Sequence, residues 1–364
     1  MRFVIQINMN KPIDSAVAIR KGEELDKVRL LTFLKSNLPH FADDIEIKQF
    51  PGGFSNLTYL LKAGKNDFVL RKPPFGANIK SAHDMGREYK VLSLLEPVYS
   101  KIPKPIIFCE DANVIGAPFY IMERVEGVIL RNKIPDGLNL TPAHFNKLSI
   151  QIIENLVSLH NLELEKSDLI SLGKPEGYVR RQVEGWIKRY FKAETDKISA
   201  MNLAAEWMQS SIPMKTTTTF IHNDYKYDNL VLDVDSIEIK AVLDWEMATV
   251  GDPLMDLGTS LAYWVENGEH PALQQFNVTW VEGNLTRQQV IEKYAELRNI
   301  DIEELLFYYV FGCFKLGVIA QQIYARYIKG YTKDKRFATL IHLVKACGQN
   351  AKNAIKYNRI NNFR

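Results

Sequence analysis

Cysteine is scarce in this sequence of 364 residues. Cys109, Cys313 and Cys347 are widely separated and match no metal-binding spacing. A disulfide framework and a cysteine-based zinc site are therefore not expected. The predicted location is a reducing compartment, the cytoplasm, because disulfide-poor chains are typical of it.

Long apolar runs and blocks of one charge are also missing. No stretch of about 18 uninterrupted apolar residues occurs, so no membrane-spanning segment is predicted. The first apolar run, residues 3–7, is too short for a signal peptide. The 46 basic and 43 acidic residues give a net charge of +3 without a concentrated basic block, so nucleic acid is not an expected partner. The length allows two domains or one two-lobed unit.

The most informative stretch of the chain is residues 220–256. A polar loop, residues 222–229, is followed by two β-rich runs, 230–232 and 239–243, which predict a hairpin. Antiparallel pairing would bring Asn229 and Asp244 together at one end of this hairpin. Asp224 lies nearby in the loop that enters the first strand, so two carboxylates and a carboxamide are expected to converge on one spot, all hard oxygen ligands of the kind that Mg²⁺ selects.

The polar loop carries a recognisable pattern: His222, Asp224, Asn229 and, after the hairpin, Asp244. This pattern resembles the catalytic core of the aminoglycoside phosphotransferase and choline kinase group, the small-molecule branch of the protein-kinase-like fold. The resemblance implies that Asp224 receives the acceptor hydroxyl, that His222 braces the loop, and that Asn229 and Asp244 hold magnesium. Asn223 replaces the glycine common in this family, but asparagine tolerates unusual backbone angles.

The resemblance also implies the fold class. It is α+β and two-lobed, with an N-lobe of residues 1–124 that combines a small antiparallel sheet with one key helix. A mostly helical C-lobe, residues 125–364, follows a hinge near residues 122–127. By position alone, the backbone of Met122, Glu123 and Val125 is expected to bind adenine.

A glycine-containing turn lies between two predicted strands, residues 45–50 and 57–63. In a kinase-like chain this turn covers the nucleotide phosphates, and its candidate phosphate-binding residues are Gly52, Gly53, Ser55 and Asn56. A Gly-Gly turn between two strands, taken alone, is more typical of an ordinary hairpin turn. Its position one strand before a candidate phosphate-binding cation favours the phosphate loop.

That cation is Arg71, on a predicted strand at residues 67–72. Strand alternation places it on the same face as Val69, which is expected beneath the adenine, whereas Lys72 faces away and is the alternative assignment. A predicted helix at residues 81–96, with Ser81 and Asp84 spaced like a capping box, carries Glu88 within its apolar stripe. Because a buried carboxylate needs a partner, Glu88 is predicted to pair with Arg71.

The second half of the chain is predicted to be mainly helical. His160 ends a helix that begins near residue 145, where a structural role is favoured. An aromatic and basic helix, residues 178–192, has two interpretations: a pocket for an anionic substrate, or a solvated charged face with its aromatic residues packed inward. Asp256 is expected to steady the polar loop, and helices within residues 284–355 are expected to close the acceptor pocket.

Together these features predict an ATP- and Mg²⁺-dependent phosphotransferase that acts on a hydroxyl of a small molecule, with oligomeric state left open. Segments 53–59, 69–74, 82–89 and 243–246 resemble the kinase-like domains fused to some acyl-CoA dehydrogenases. That subgroup implies a hydroxy acid or a hydroxyacyl-CoA as acceptor. The alternatives are a non-catalytic nucleotide-binding module and an aminoglycoside or choline-type kinase. A protein kinase is disfavoured because the segment between Asp244 and Asp256 is short.

Overall fold

The computed structural model of the protein describes residues 13–51, 56–74, 84–300, 305–332 and 334–361. Three residues of the predicted phosphate loop, Gly52, Gly53 and Ser55, lie outside the described residues. Ser81 of the predicted capping box does so as well.

The first part of the chain forms a five-stranded antiparallel sheet with two helices. Its elements are α1 (Lys27–Asn37), β1 (Glu46–Gln49), β2 (Leu57–Ala63), β3 (Asn66–Lys72), α2 (Met85–Leu95), β4 (Pro105–Cys109) and β5 (Phe119–Glu123). The strand order is β1-β2-β3-β5-β4. This arrangement agrees with the predicted small antiparallel sheet and its key helix.

The helix boundaries follow from their N-caps. The side chain of Asp26 accepts a hydrogen bond from the backbone of Arg29 and sets the start of α1. Asp84 does the same for Arg87, so α2 begins at Met85. The prediction that the helix began at Ser81 with Asp84 inside it was therefore wrong, because Asp84 is itself the N-cap.

The two faces of the sheet pack against different partners. One face packs on α1 in a separate core cluster, which includes Leu30, Leu34, Tyr59, Leu61, Leu70, Phe119 and Ile121. The other face contributes Val69 and Met122 to the main core shared with α2 and the helical part of the chain. Strand alternation thus places Arg71 on the second face. It directs Lys72 to the first face, where its Nζ donates to the carbonyl of Ile115 at 2.9 Å.

The rest of the chain is mainly helical and carries two small two-stranded sheets. The helices are α3 (Pro142–His160), α4 (Tyr178–Ala193), α5 (Ser199–Ser210), α6 (Pro253–Tyr263), α7 (Pro271–Gln274), α8 (Arg287–Arg298), α9 (Leu305–Ile328) and α10 (Leu340–Tyr357). The strands are β6 (Thr219–Ile221), β7 (Leu230–Leu232), β8 (Ile239–Val242) and β9 (Thr249–Gly251). The domain boundary near residues 122–127 stays a prediction.

The predicted hairpin is confirmed. Leu230 of β7 pairs with Val242 of β8 in antiparallel register. One pairing was not predicted: β6 pairs with β9, so the strand before the polar loop is joined to the segment before α6. This second pairing closes the polar loop and the hairpin into one compact unit.

Helix α9 lies at the centre of the helical part. By length and composition it could cross a membrane, with a hydropathy of 1.3 over its most apolar window, although Lys315 interrupts the apolar run. However, 78% of that window is buried inside the protein, as in the core helix of a soluble protein. It packs closely against α6 and α10.

The contact between α6 and α9 depends on two facing glycines. A Cβ atom built on Gly312 would overlap the backbone carbonyl of Gly258, and one built on Gly258 would overlap the carbonyl of Tyr308. The two helix backbones can approach this closely only because neither glycine carries a side chain. A larger residue would have to push the helices apart.

We expect Gly312→Ala to lower the free energy of unfolding by about 1–3 kcal/mol, because overpacking strains the α6–α9 contact. Guanidinium denaturation would measure the change. Gly185→Ala is the matched control, since it lies within α4 and meets only the flexible Nη1 of Arg189, at 3.4 Å. The Gly185→Ala substitution should raise the free energy of unfolding by about 0.5–1 kcal/mol. A Gly312→Ala protein as stable as the unsubstituted one would contradict this packing argument.

Candidate active site

The carboxylate of Asp256, in the first turn of α6, holds the backbone of the polar loop. Asp256 accepts hydrogen bonds from the backbone N–H of His222 at 2.7 Å and of Asn223 at 2.8 Å. Asn223 has φ of 66°, a left-handed conformation that asparagine tolerates, which agrees with the expectation for this position. The predicted steadying role of Asp256 is confirmed.

Asp256 is itself fixed by a buried histidine. His160, at the end of α3, approaches Asp256 Oδ2 through Nε2 at 3.3 Å, and its Nδ1 lies 2.7 Å from the hydroxyl of Tyr294. Burial alone would raise the pKa of Asp256, but its hydrogen bond to His160 and the loop N–H groups lower it below the usual value. The structural role expected for His160 is thus confirmed.

His222 is buried, and both of its ring nitrogens are occupied by backbone groups. Nδ1 accepts from the N–H of Asp224 at 3.2 Å, so Nε2 carries the proton and donates to the carbonyl of Leu243 at 3.0 Å. Burial lowers the pKa of His222, which favours this neutral form. The ring packs against Trp245 in a tilted arrangement, with a centroid separation of 4.6 Å and an interplanar angle of 55°. His222 therefore braces Asp224 rather than exchanging protons with a substrate.

The carboxylate of Asp224 is oriented by two neighbours in the polar loop. Its Oδ2 accepts from Lys226 Nζ at 2.8 Å and from Asn229 Nδ2 at 3.0 Å. Asn229 Nδ2 also donates to the Asp224 carbonyl at 2.8 Å. Because the amide nitrogen of Asn229 faces Asp224, its carbonyl oxygen is left for another partner. Lys226 was not singled out in the sequence, although its position two residues after Asp224 could have suggested it.

Asp244 lies at the end of the hairpin in a left-handed conformation, with φ of 67°. The backbone N–H of Leu243, the residue before Asp244, donates to the Asn229 carbonyl at 2.8 Å, which places Asn229 and Asp244 at the same end of the hairpin. Asp244 Oδ1 lies 3.1 Å from a guanidinium nitrogen of Arg71 on β3. The hairpin and the five-stranded sheet therefore meet here, and we call the space between them the cleft.

The predicted pair of Arg71 and Glu88 is confirmed. Arg71 Nη1 lies 2.5 Å from Glu88 Oε1, and both side chains are buried. Burial raises the pKa of Glu88, and the Arg71 guanidinium opposes that shift. Since Lys72 points to the opposite face of the sheet, Arg71 is the cation of this strand that faces the cleft.

Glu246 is a further carboxylate of the cleft that sequence reasoning did not assign. It accepts from Asn56 Nδ2 at 3.0 Å, so Asn56 of the predicted phosphate loop contacts the segment after the hairpin. Burial, followed by the nearby Asp244 charge, raises the pKa of Glu246 to about 8. The motif that includes Asp244 could have drawn attention to it, but its partner is distant in sequence.

The donor set of the cleft fits a magnesium ion that is bound together with phosphate. Carboxylates are crowded here: burial raises the pKa of Asp228 to about 6, and Asp224 and Asp244 add to that shift. Among the described residues, no group of three or more His, Cys, Asp or Glu side chains could hold a metal ion alone. Mg²⁺ suits such an incomplete set, because it usually takes one or two carboxylates and completes its shell with water and phosphate oxygens.

The predicted hinge residues lie at the end of β5 and just after it. Met122 and Glu123 end β5; Met122 is buried opposite Val69, and Glu123 is exposed. The N–H of Glu123 donates to the carbonyl of Lys104 at 2.9 Å, so it is unavailable to a base. No partner is found for the N–H of Val125 within the described residues. Adenine binding by these three residues stays a prediction.

Helix α4 satisfies parts of both interpretations made from the sequence. Its aromatic residues Tyr178, Trp186 and Tyr190 are buried, as expected for inward packing. Arg181 and Arg189, in contrast, line a cavity that also contains Asn223 of the polar loop. The Tyr178 hydroxyl and the Asn223 amide are 3.0 Å apart, which ties the helix to the loop.

Comparison with known proteins identifies the family. A model described as the phosphotransferase enzyme family matches residues 46–297, more than half of the chain. The chain belongs to this family. Its helical and sheet regions form the two-lobed, protein-kinase-like α+β fold, and the family supports a small-molecule phosphotransferase in general.

Among curated relatives, acyl-CoA dehydrogenase family member 11 of Homo sapiens is 33% identical over 314 residues, covering 84% of this chain and 40% of that protein. Family member 10 of Mus musculus is 32% identical over 321 residues, covering 86% of this chain and 29% of that protein. The chain thus spans less than half the length of these relatives.

Solved structures show the same fold. A candidate aminoglycoside phosphotransferase from Ralstonia eutropha has a TM-score of 0.76 and 27% identity, covering 92% of this chain and 99% of that one. Choline kinase from Cryptosporidium parvum has a TM-score of 0.65 and 14% identity, covering 92% of this chain and 97% of that one. At that identity the second likeness shows the fold alone.

We expect Asp256→Ala to lower the free energy of unfolding by about 2–4 kcal/mol, because two buried N–H groups lose a charged acceptor. Denaturant titration would measure the loss, and amide hydrogen exchange at His222 and Asn223 should accelerate. Asp26→Ala, which removes an exposed N-cap, is the control and should cost about 1 kcal/mol. An Asp256→Ala loss no larger than this would contradict the role of Asp256.

The contribution of Asp256 to the free energy of unfolding should depend on pH. The pKa of Asp256 is lower in the folded chain than its usual value of 3.8, so its stabilising effect is present above that value and is lost as the pH falls through the folded pKa. The stability difference between the unsubstituted and Asp256→Ala proteins should therefore shrink in acid.

Proposed function

We propose that this chain is an ATP- and Mg²⁺-dependent phosphotransferase that moves the γ-phosphate to a hydroxyl of a small molecule. The observation that carries the proposal is the convergence of Asp224, Asn229, Asp244 and the Arg71–Glu88 pair on one cleft. These residues come from separate elements of the chain. A structural hairpin alone would not require all of them to meet.

Different residues of the cleft would contact the metal, the phosphates and the base of the nucleotide. Asn229 and Asp244 would hold magnesium, which neutralises phosphate charge when it is bound. Arg71, oriented by Glu88, offers a fixed guanidinium to phosphate oxygens, and one of its donors, Nε, is buried without a partner among the described residues. The backbone near Val125 is the proposed site for the base.

Asp224 is the proposed residue at the acceptor hydroxyl. The acceptor oxygen forms a bond to the γ-phosphorus while the bond to the bridging oxygen breaks and ADP leaves. The hydroxyl proton passes to Asp224. Because the transition state of phosphoryl transfer is loose, correct placement of charge matters more than basicity. The hydrogen bonds from Lys226 and Asn229 hold the carboxylate in that place.

For the acceptor we propose a hydroxy acid or a hydroxyacyl-CoA. The support is the relationship to proteins named acyl-CoA dehydrogenase family members 10 and 11, of which this chain matches less than half. Aminoglycoside-type and choline-type acceptors form the second candidate class, favoured by the names of the solved structures with this fold. Coupled ADP release across a panel of these acceptors would decide between the two classes.

We expect Asp224→Ala to abolish phosphate transfer while Mg²⁺-nucleotide affinity stays within about twofold, because Asp224 contacts the acceptor. Asp244→Ala should reduce both transfer and Mg²⁺-dependent nucleotide binding, since it removes a metal ligand. ADP release and calorimetry would measure the two quantities. Full activity in either variant would contradict the mechanism. Nucleotide binding without turnover on any acceptor would favour the non-catalytic module.

Arg71 and Lys72 provide a matched pair on one strand. We expect Arg71→Met to weaken Mg²⁺-nucleotide binding about tenfold or more, the effect of losing one charge-assisted contact. Lys72→Met should leave that affinity nearly unchanged, because Lys72 Nζ faces the Ile115 carbonyl on the other side of the sheet. Equal losses of affinity in the two variants would mean that Arg71 does not contact the phosphates.

A further inference from the structure

A polar cavity of about 330 Å³ opens beside the polar loop. Helix α4 supplies Trp186 to its wall, α9 supplies Lys315, and the polar loop supplies Asn223. Glu246 also lines it, so the cavity adjoins the cleft. Its volume suits part of a small molecule, and its position suits a molecule that reaches Asp224.

The lining of this cavity is strongly basic. Among the described residues, five cations face it, and they come from four separate parts of the chain: Arg87, Lys174, Arg181, Arg189 and Lys315. Glu246 is the one carboxylate that lines it in the same described part. We call this space the basic cavity.

These cations are not neutralised by the protein. In the described part of the chain, none of the five forms an ion pair with a carboxylate, whereas buried Arg287 pairs with Glu269 at 2.6 Å and Lys226 pairs with Asp224 at 2.8 Å. Arg287 and Lys226 are thus neutralised by carboxylates, whereas the five cations of the basic cavity have no carboxylate partner among the described residues. A concave surface of one charge concentrates the electric field and attracts the opposite charge.

Neutral groups nevertheless hold several of these cations in place. Lys315, 2% exposed, donates from Nζ to the carbonyl of Asn223 at 2.5 Å. Arg87 donates to the carbonyl of Ala248 at 2.7 Å, and the guanidinium of Arg189 lies 4.7 Å from the centre of the Trp186 ring. Carbonyls and an aromatic face orient a cation without cancelling its charge.

Neutral groups also orient Arg181, whose guanidinium donates to the carbonyls of Lys174 and Glu176. These contacts tie it to the loop that precedes α4. The positive charge is therefore pre-organised rather than spread over freely moving side chains, which reduces the entropy lost when a ligand binds.

We propose that the basic cavity binds an anionic group, phosphate or carboxylate, carried by the same small molecule whose hydroxyl is phosphorylated. Lys315 contacts the carbonyl of Asn223, the residue before Asp224, so an anion in the cavity lies next to the reacting position. This inference rests on the proposed phosphotransfer and deepens it. It disfavours cationic acceptors such as choline and aminoglycosides, which the five cations would repel.

Direct binding tests the cavity independently of turnover. Calorimetry would titrate glycerol 3-phosphate and 4-hydroxybutanoate, each in turn, into the chain saturated with Mg²⁺ and a non-hydrolysable ATP analogue. Glycerol and choline are the neutral and cationic comparisons. We expect binding of at least one of the two anions, weakening as salt rises, and no binding of glycerol or choline. The stronger of the two anions identifies phosphate or carboxylate as the preferred group.

Two neighbouring residues of α4 provide the matched variants. Arg189→Gln should weaken anion binding about tenfold or more, the effect of losing one charge-assisted contact. Lys188→Gln removes an equal charge from an exposed position outside the cavity and should change the anion affinity less than twofold. Because both side chains are exposed, the fold should survive, and thermal melting would verify this.

The outcomes separate this inference from the proposed function. Anion binding that Arg189→Gln leaves unchanged, or equal binding of choline, would overturn the basic cavity as an anion site. Phosphate transfer to choline or glycerol without any anion binding would support the proposed phosphotransferase activity and would contradict the proposal of an anionic acceptor. Arg189-dependent anion binding with no transfer to any acceptor would support the cavity and count against the proposed function.

Discussion

The carboxylate of Asp256 is the constraint on which the rest of the site depends. It lies within the core, yet it accepts from two consecutive backbone N–H groups of the polar loop and contacts His160. A buried carboxylate is tolerated only where hydrogen bonds replace its lost hydration, so α6, α3 and the loop can pack together in one way. The left-handed turn at Asn223 follows, and Asp224 is thereby directed toward the cleft.

The charges around Asp224 are unevenly distributed. On one side, Asp228 and Asp244 lie near Glu246, which also borders the basic cavity, and burial with mutual repulsion raises the pKa of Asp228 and Glu246. On the other side, the basic cavity carries five cations that form no ion pair with a carboxylate of the described residues. This arrangement suits a metal–nucleotide complex on the acidic side and an anionic acceptor on the basic side. Asp224 lies between the two, where the proposed transfer occurs.

Much of the site could be predicted because its chemistry is local in sequence. The spacing of His222, Asp224 and Asn229 lies within one loop, and strand alternation over a few residues separated Arg71 from Lys72. The Arg71–Glu88 pair was predictable for a different reason, since a carboxylate in an apolar stripe must find a cation. The start of α2 was misjudged, because serine and aspartate are both good N-caps and the pattern alone did not choose between them.

The sequence by itself therefore determined the family pattern, the hairpin and the faces of β3, because each depends on residues only a few positions apart. Tertiary structure alone decided the contact between Asn56 and Glu246 and the pairing of β6 with β9. It also assembled the basic cavity from residues as distant as Arg87 and Lys315. No periodicity links such positions; they meet because the packing of α4 and α9 around the polar loop brings them together.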